Sequence, residues 1–398
     1  MSAVFSSQAV PRGARRPYQD VLDYRLLAAT LFLLVLGLVM VTSASLSIAE
    51  GKLHNPFFFV QRHVFALVLA LSAAAIAFFI PMEKWQQHGT ALLFFGIFLL
   101  LLVQVPGLGK TANGATRWIN LGVFSLQSSE YMKLFAVAYI GGYLVRRSDE
   151  VSSKFIGFLK PLLLIGMACA LIIIQPDVGT TAVILATVLG MLFLGGVPVW
   201  QFAAMLGVVA SAAVPLIMTN PERLERVTVF LNPFDQAYGA GYQLVQALIA
   251  FGRGELFGVG LGNGIQKQFY LPEAHTDFLL AVIGEELGLA GTLLVIFLFA
   301  FITWRAFAIG ARAEALGQRF SSYVAHGLGL GLGLQAFINI GVNTGLLPTK
   351  GLTLPFMSYG SNSIIVACVA MAMILRVDFE NRRLAAERRQ GGEPWAPS

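Results

Sequence analysis

The chain has 398 residues, 57% of them hydrophobic and only 12% charged, with a formal net charge of +6. Soluble domains carry about 25% charged residues, so this composition, with a mean hydropathy of +0.73, excludes a soluble globular protein. The basic residues fall in the tails and short connections, where they read as topology signals and not as a nucleic-acid site.

A membrane-spanning helix needs about 20 mostly apolar residues. Ten such helices are predicted, over 24–47, 57–80, 90–106, 129–145, 155–174, 177–196, 198–218, 277–303, 320–345 and 355–376. Only Gln175 and Pro176 separate the fifth from the sixth, so nine is the alternative count. The expected fold class is an all-α polytopic membrane protein. Residues 1–23 form a polar tail, 24–376 the membrane domain and 377–398 a second tail. With the N-terminus in the cytoplasm, cytoplasmic segments hold Arg12, Arg15, Arg16, Arg25, Lys84, Arg146, Arg147, Lys154, Lys160, Arg305, Arg312, Arg319, Arg376 and the arginines that follow it. Cytoplasmic loops carry the excess of Lys and Arg, which places both termini in the cytoplasm, against anionic membrane lipid. No cleavable signal peptide is expected, because the first apolar run follows a long polar segment and is itself long enough to span. Cys169 and Cys368 lie in predicted helices and read as small packing residues, with neither a disulfide nor a zinc site suggested.

Two outward connections are long. The first, 107–128, carries Lys110, Arg117 and Trp118. The second, 219–276, is too long for a simple connection and is expected to fold onto the membrane domain and help form an outward cavity. Its alternating glycines, Gly258, Gly260, Gly262 and Gly264, follow no strand, so they read as a close-packed turn and not as a nucleotide loop.

Four outward segments bear polar residues at membrane level. In the first, Arg117 is a suitable clamp for phosphate, and Trp118 either assists it or anchors the interface. Glu130 and Lys133, three residues apart, share a helix face; they either serve the site or satisfy each other. In the second, Asp177 follows Gln175 and Pro176 at a tight turn and is expected to cap the next helix. In the third, His275, Thr276 and Asp277 head a helix that then buries Glu285 and Glu286. Carboxylates within a membrane are costly and mark functional candidates. Glu285 lies about 12 Å deeper than Asp277, and Glu286 on about the opposite face. These glutamates are therefore expected to neutralise basic groups on neighbouring elements, leaving Asp277 as the carboxylate near water. His275 reads as polar support. In the fourth, Lys350 precedes Ser358, Tyr359, Ser361 and Asn362, a polar cluster suited to an anionic or sugar ligand or, alternatively, to helix packing.

The segments LPEAHTDF, NGATRWI, QPDVGT and LPTKGLTLPF, in their order along the chain and with the long loop before Asp277, resemble the bacterial SEDS family (shape, elongation, division, sporulation) over about residues 20–380. Thr349-Lys350-Gly351 and the entry from Asp23 to Leu27 resemble its cell-division type more than its elongation type. The resemblance implies a peptidoglycan glycosyltransferase with ten membrane helices that polymerises lipid II into glycan strands on the outer face of the bacterial cytoplasmic membrane. It also implies a class B penicillin-binding protein transpeptidase and division regulators as partners at the septum. The family's essential aspartate falls on Asp277, and its Arg-Trp pair on Arg117 and Trp118. Two departures stand out. Gln127-Ser128-Ser129-Glu130 replaces Gln-Pro-Ser-Glu, and Gly360-Ser361-Asn362-Ser363 replaces Gly-Gly-Ser-Ser, where Asn362 would offer a side chain in place of a backbone donor.

The chemistry fits one outward carboxylate. An acceptor hydroxyl must lose a proton, a task for which a positioned base contributes about 10²- to 10⁴-fold. Pyrophosphate leaves without protonation when cations screen it. Asp277 is therefore expected as the base, with Arg117, Lys133, Lys267 or Lys350 on the pyrophosphate. No tightly bound cofactor is expected; Mg²⁺ or Mn²⁺ would accompany the pyrophosphate. The alternatives are a lipid II flippase, which would want a matching inward polar set and related halves, and a non-catalytic scaffold, which leaves Asp277 unexplained.

Overall fold

A computed structural model describes residues 22–390 except 113–114, 121, 123–124 and 154. Arg12, Arg15, Arg16, Lys154, the first two residues of NGATRWI and the ends of both predicted tails lie outside the described residues.

In chain order the elements are α1 (Tyr24–Leu53), α2 (Phe58–Phe79), α3 (Met82–Val103), β1 (Gly109–Ala112), β2 (Ala115–Asn120), β3 (Ser125–Gln127), α4 (Ser128–Arg146), α5 (Ser148–Ser153), α6 (Phe155–Ile174), α7 (Val178–Leu194), α8 (Val199–Met218), α9 (Pro221–Val229), α10 (Tyr242–Gly254), α11 (Leu279–Ala315), α12 (Arg319–Asn343) and α13 (Ser361–Gln390). Each of the ten predicted helices is present. Eight of them are long and apolar enough to cross a membrane, and α7 is apolar but shorter. The tenth, α4, carries Glu130, Lys133 and Arg146 and is not among them. The protein is a multi-pass helical membrane protein.

Three local expectations are corrected. The connection before α4 is a three-stranded antiparallel sheet in the order β1-β2-β3, with Trp118 opposite both Lys110 and Gln127. The last helix starts at Ser361 and not at 355. Pro355 disfavours helix in the residue before it, and the Ser358 hydroxyl instead accepts the Leu354 N–H at 2.9 Å, closing a turn. The same helix runs on to Gln390 where a tail was expected. Buried Asp378 accepts from Arg382 at 2.6 Å, Asn381 donates to the Ile309 carbonyl at 3.1 Å, and Arg388 to that of Leu316 at 3.0 Å. These bonds hold the extension against the end of α11.

The core is built by α13 on α2, α11 on α12 and α3 on α4. In contrast, α8 stands at the periphery with only Gln201 buried. At one end of the bundle Arg305 of α11 grips Asp23, whose side chain also caps α1 by accepting the Leu26 N–H. At the other end the segment between α12 and α13 folds back inward, and its Met357 backbone lies so near α1 that a Cβ on Gly37 would sit 2.5 Å from the Met357 Cα.

Helix α11 is broken at Gly288, whose φ of +68° is unfavourable for any residue with a Cβ. The 255–260 segment of the long loop repairs the break. Leu289 and Ala290 N–H groups donate to the carbonyls of Glu255 and Leu256 at 2.9 and 3.0 Å. Val259 and Gly260 N–H groups donate to those of Glu285 and Glu286 at 3.0 and 3.1 Å. The predicted glycine turn is what lets this happen: a Cβ on Gly258 would lie 2.1 Å from the Glu286 carbonyl oxygen.

A Cβ on Gly288 would meet the Gly258 nitrogen at 2.4 Å and the Leu256 carbonyl carbon at 2.7 Å. Gly288→Ala is therefore expected to cost more than the roughly 1–2 kcal/mol of left-handed strain alone, read as a lowered thermal midpoint in detergent. An unchanged midpoint would contradict the repaired break.

Candidate functional site

Residues 279–287, the half of α11 before the break, carry Asp277 at their head. Glu273 starts the turn that leads in. Its carbonyl accepts the N–H groups of Thr276 and Phe278 at 3.1 and 3.2 Å, and its carboxylate accepts the Thr276 hydroxyl at 2.6 Å. Two asparagines of α12 then fix the aspartate's backbone. Asn339 and Asn343 each donate from Nδ2 to the Asp277 carbonyl at 2.9 Å. Asn343 Oδ1 accepts the Ala281 N–H at 3.2 Å, and Asn339 also holds the Leu352 carbonyl at 2.6 Å. Sequence reading missed both asparagines. Their four-residue spacing on a helix face was the available signal.

The Asp277 side chain itself is half-buried, and no described residue donates a hydrogen bond to it. A Cβ on Gly351 would lie 2.9 Å from Oδ2, so any side chain there would make the carboxylate shift. Removal from water and then the negative charge of Glu273 push its carboxyl up to about 7; Arg117 opposes this and Asp177 adds to it. These interactions place Arg117, Asp177 and Glu273 around Asp277.

Arg117 donates from Nε to the Gln175 carbonyl at 2.8 Å and from Nη2 to that of Pro176 at 2.7 Å, so β2 is tied to the turn before α7. There Asp177 caps α7, accepting the Thr180 N–H at 3.2 Å, and accepts the Ser129 hydroxyl at 2.9 Å. Trp118 neighbours Arg117 on β2. Lys133 donates to Glu130 at 2.8 Å and to Gln335 at 2.7 Å. Gln335 in turn holds the Thr353 carbonyl at 2.9 Å. Lys350 is half-buried beside Gly351. Loss of water, and then the positive charges of Arg226 and Arg223 on α9, hold its ammonium below the usual lysine range. Neither arginine was singled out by the sequence.

Other expected site residues are engaged elsewhere. Lys267 is 4% exposed and not an open phosphate ligand. Its ammonium lies 2.6 Å from Glu286 and donates to Ser43 of α1 at 2.7 Å. Glu286 also accepts the Ser43 hydroxyl and, at 3.0 Å, the Gly262 N–H. Glu285 takes Arg253 of α10 at 2.8 Å and the N–H groups of Ile265 and Gln266 at 2.9 and 3.1 Å. Ser358 is 1% exposed and closes its own turn. Asn362, expected as a ligand contact, has both ends occupied: it accepts the Gln127 N–H at 3.2 Å and donates to the Ser125 carbonyl at 2.8 Å. That clamp joins β3 to α13. Ser361 is half-buried next to it. His275 lies between Phe59 and Tyr359, with ring centroids at 4.7 and 5.4 Å, and its carbonyl accepts the Tyr359 N–H at 2.9 Å.

The vertical position of the site follows from two helices. Asp23 meets Arg305 at the start of α1, ten residues before the end of α11, and Ser43 meets Glu286 some 20 residues along both, about 30 Å at 1.5 Å per residue. That is the thickness of a bilayer hydrocarbon core. Asp277 precedes Glu286 by nine residues and lies beyond this level, on the side away from the Asp23–Arg305 pair.

The chain belongs to the cell cycle protein family that takes in FtsW, RodA and SpoVE, whose sequence pattern matches residues 24–383. Within it, the chain is 56% identical, over all of both chains, to a probable peptidoglycan glycosyltransferase FtsW of Allochromatium vinosum. It is 49% identical to the protein of that name from Coxiella burnetii, over 90% of this chain and 96% of the other. Among solved structures it is similar to a chain of a peptidoglycan synthase complex studied for its coordination of polymerization and crosslinking (TM-score 0.73, 26% identity, 90% of this chain and 98% of that one). It shares its fold with the rod shape determining protein RodA of Thermus thermophilus (TM-score 0.67, 24% identity, 91% and 97% covered).

The fold pushes the Asp277 carboxyl up from the ordinary aspartate value of 3.8 to about 7. Between those values the folded chain keeps a proton that the unfolded chain has lost, so its stability falls as pH rises. Asp277→Asn, which cannot ionise, is expected to gain thermal stability over the natural chain progressively from about pH 4 to about pH 7 and to keep that gain at higher pH. A difference that does not vary with pH would refute the shift.

Proposed function

We propose that this chain is an inverting glycosyltransferase that polymerises lipid II into glycan strands, with Asp277 as general base. The observation that carries this reading is a partly exposed carboxylate with no hydrogen-bonded partner among the described residues. It stands at the water end of a membrane helix and is poised to titrate near neutrality. A base works best when its pKa lies near the operating pH. The glycosyltransferase relatives support the same activity.

In the reaction, the acceptor sugar's hydroxyl gives its proton to the Asp277 carboxylate while its oxygen attacks the anomeric carbon of the donor. The bond from that carbon to the diphosphate oxygen breaks from the opposite side, which inverts the carbon. The electron pair leaves on the diphosphate, so no second carboxyl is needed as an acid. Arg117 spends two N–H groups on the Gln175 and Pro176 carbonyls and keeps its others for substrate. Lys350 directly precedes Gly351, whose backbone lies against the Asp277 carboxylate. Lys133 supports this site from beneath through Gln335 and the Thr353 carbonyl. A divalent cation would come with the diphosphate. Among the described residues no three His, Cys, Asp or Glu converge on one point, whereas Mg²⁺ commonly uses one or two carboxylates plus substrate phosphates. Asp277 and Glu273 are the carboxylates placed to share it.

The bias of Lys and Arg supports placing the Asp23–Arg305 end in the cytoplasm, with Asp277 on the outer face of the bacterial inner membrane and both termini inside. The likeness to a synthase complex that couples polymerization to crosslinking supports a penicillin-binding transpeptidase as partner, with lipid II and the growing strand as ligands and the division septum as the place of action. A flippase would need a route past the Glu286–Lys267–Ser43 cluster to the other face, so polymerisation is the better reading.

Purified full chain in liposomes with lipid II is expected to yield glycan polymer. Asp277→Asn should make none while retaining a cooperative thermal transition. The natural chain's rate should rise about tenfold per pH unit below about pH 7 and level off above it. Polymer from Asp277→Asn would remove the base from this mechanism, and lipid II translocation without polymer would favour the flippase.

A further inference from the structure

The end of the bundle away from Asp277 holds a polar cavity of about 250 Å³. Leu194 and Gly196, in the turn between α7 and α8, form one wall. Glu314 from the last turn of α11 and Arg319, Ser322 and Tyr323 from the start of α12 form the other. Helix α12 has 25 residues and runs from Arg319 to Asn343, which bonds the Asp277 carbonyl. At 1.5 Å per residue it is about 37 Å long, more than the roughly 30 Å of a hydrocarbon core. The cavity therefore lies among lipid headgroups on the side opposite Asp277. Trp200, 64% exposed near the start of α8, marks the same level, because tryptophan favours the membrane interface.

Glu314 and Arg319 line this cavity, yet they pair neither with each other nor with any other described residue. Arg319 also stands at an unfavourable place. A helix N-terminus carries partial positive charge, the first turn of α12 contains no acid, and Gln318 gives it no side-chain cap. The first N–H groups of α12 thus join the guanidinium as donors without an acceptor. Ser322 is an independent sign of a ligand. It is 2% exposed and lines the cavity. His326 Nδ1 lies 2.8 Å from the Ser322 carbonyl oxygen and 3.3 Å from its hydroxyl oxygen. A carbonyl cannot donate, so Nδ1 carries the proton, and the hydroxyl can only accept from it. The Ser322 O–H therefore has no acceptor among the described residues and is free to donate to whatever fills the cavity.

We propose that this cavity seats the phosphoethanolamine headgroup of a phospholipid in the leaflet at the Asp23–Arg305 end of the bundle. Its phosphate diester meets Arg319, the α12 N-terminus and the Ser322 hydroxyl, and its ammonium meets Glu314. The two unpaired charges select this ligand. A guanidinium fork suits phosphate oxygens, but a lipid with only a phosphate would place its charge beside the Glu314 carboxylate and be repelled. An ammonium on the same molecule turns that repulsion into attraction. A primary ammonium offers three N–H donors to the carboxylate, whereas the quaternary ammonium of choline offers none. Phe193 and Leu194, 46% and 44% exposed at the end of α7, give the lipid chains an apolar surface beside the headgroup. The bound lipid ties the α7–α8 turn to α12. That tie matters for α8, which buries only Gln201 against the rest of the protein. Nothing in this binding depends on glycosyl transfer.

The test offers the full chain in detergent equal amounts of dioleoyl phosphatidylethanolamine, phosphatidylcholine and phosphatidylglycerol, and counts the retained lipid by native mass spectrometry. The ethanolamine lipid is expected to be retained about tenfold over either of the others, the contribution of one charge-assisted contact. Glu314→Gln should bring the ethanolamine and glycerol lipids to parity. Arg319→Gln should lower retention of both, and Arg319→Lys should recover part of it. Both side chains are exposed, so the variants should keep the natural thermal midpoint when no lipid is added. Phosphatidylethanolamine should raise that midpoint in the natural chain and not in Glu314→Gln. Preference of the natural chain for the glycerol lipid would mean an anion site only and overturns the proposal. Equal retention of all three lipids overturns it too, as does an ethanolamine preference that survives Glu314→Gln or retention unchanged by Arg319→Gln.

Discussion

Two adjacent buried carboxylates govern the geometry of this protein. Glu285 and Glu286 are fully buried, and water cannot solvate them, so each must be met by cations and N–H donors. Arg253, Lys267, Ser43 and the backbone of residues 262–266 meet them. Every one of those groups except Ser43 comes from the long loop. The ion pairs need not add net stability, but removing one partner would strand a buried charge at a cost of about 3–5 kcal/mol. The loop is therefore held to one arrangement on the bundle. The break at Gly288 belongs to the same constraint, because backbone groups of 285, 286, 289 and 290 find partners in residues 255–260.

That anchoring gives the short half-helix a fixed base, and Asn339 and Asn343 fix its top. The backbone of Asp277 is thus held from two directions while its carboxylate has no hydrogen-bonded partner among the described residues. Burial and the nearby acids Glu273 and Asp177 then keep its proton affinity high, with Arg117 as counterweight. The same loop runs straight into Asp277, so docking of the loop on Glu285 and Glu286 and placement of the carboxylate are coupled.

Much of this was legible in the chain. Ten apolar runs became ten helices because membrane-spanning length and apolarity are local properties. The pairing of Glu130 with Lys133 and the capping by Asp177 were readable because both lie within one turn of helix. Asp277 stood out because a carboxylate at the start of an apolar helix is costly. The failures share a different cause. Lys267 looked like a phosphate ligand, and Asn362 and Ser358 like substrate contacts, because nothing in the sequence near them reveals Glu286, Ser125 or the inward fold around Met357. The sheet before α4 was missed because its strands are short. The helical extension past residue 376 was taken for a tail because its charges gave no sign that Asp378 and Asn381 would be buried against α11.

Sequence by itself determined what could be settled within a span or a turn: a multi-pass helical membrane protein, its basic bias, a long loop, and a single candidate base at a helix head. Tertiary structure alone decided which charges are spent and which remain available. The reason is physical. A charged side chain's role depends on the nearest opposite charge and on access to water, and in this fold both are set by partners as far apart along the chain as Asp23 and Arg305 or Lys267 and Ser43.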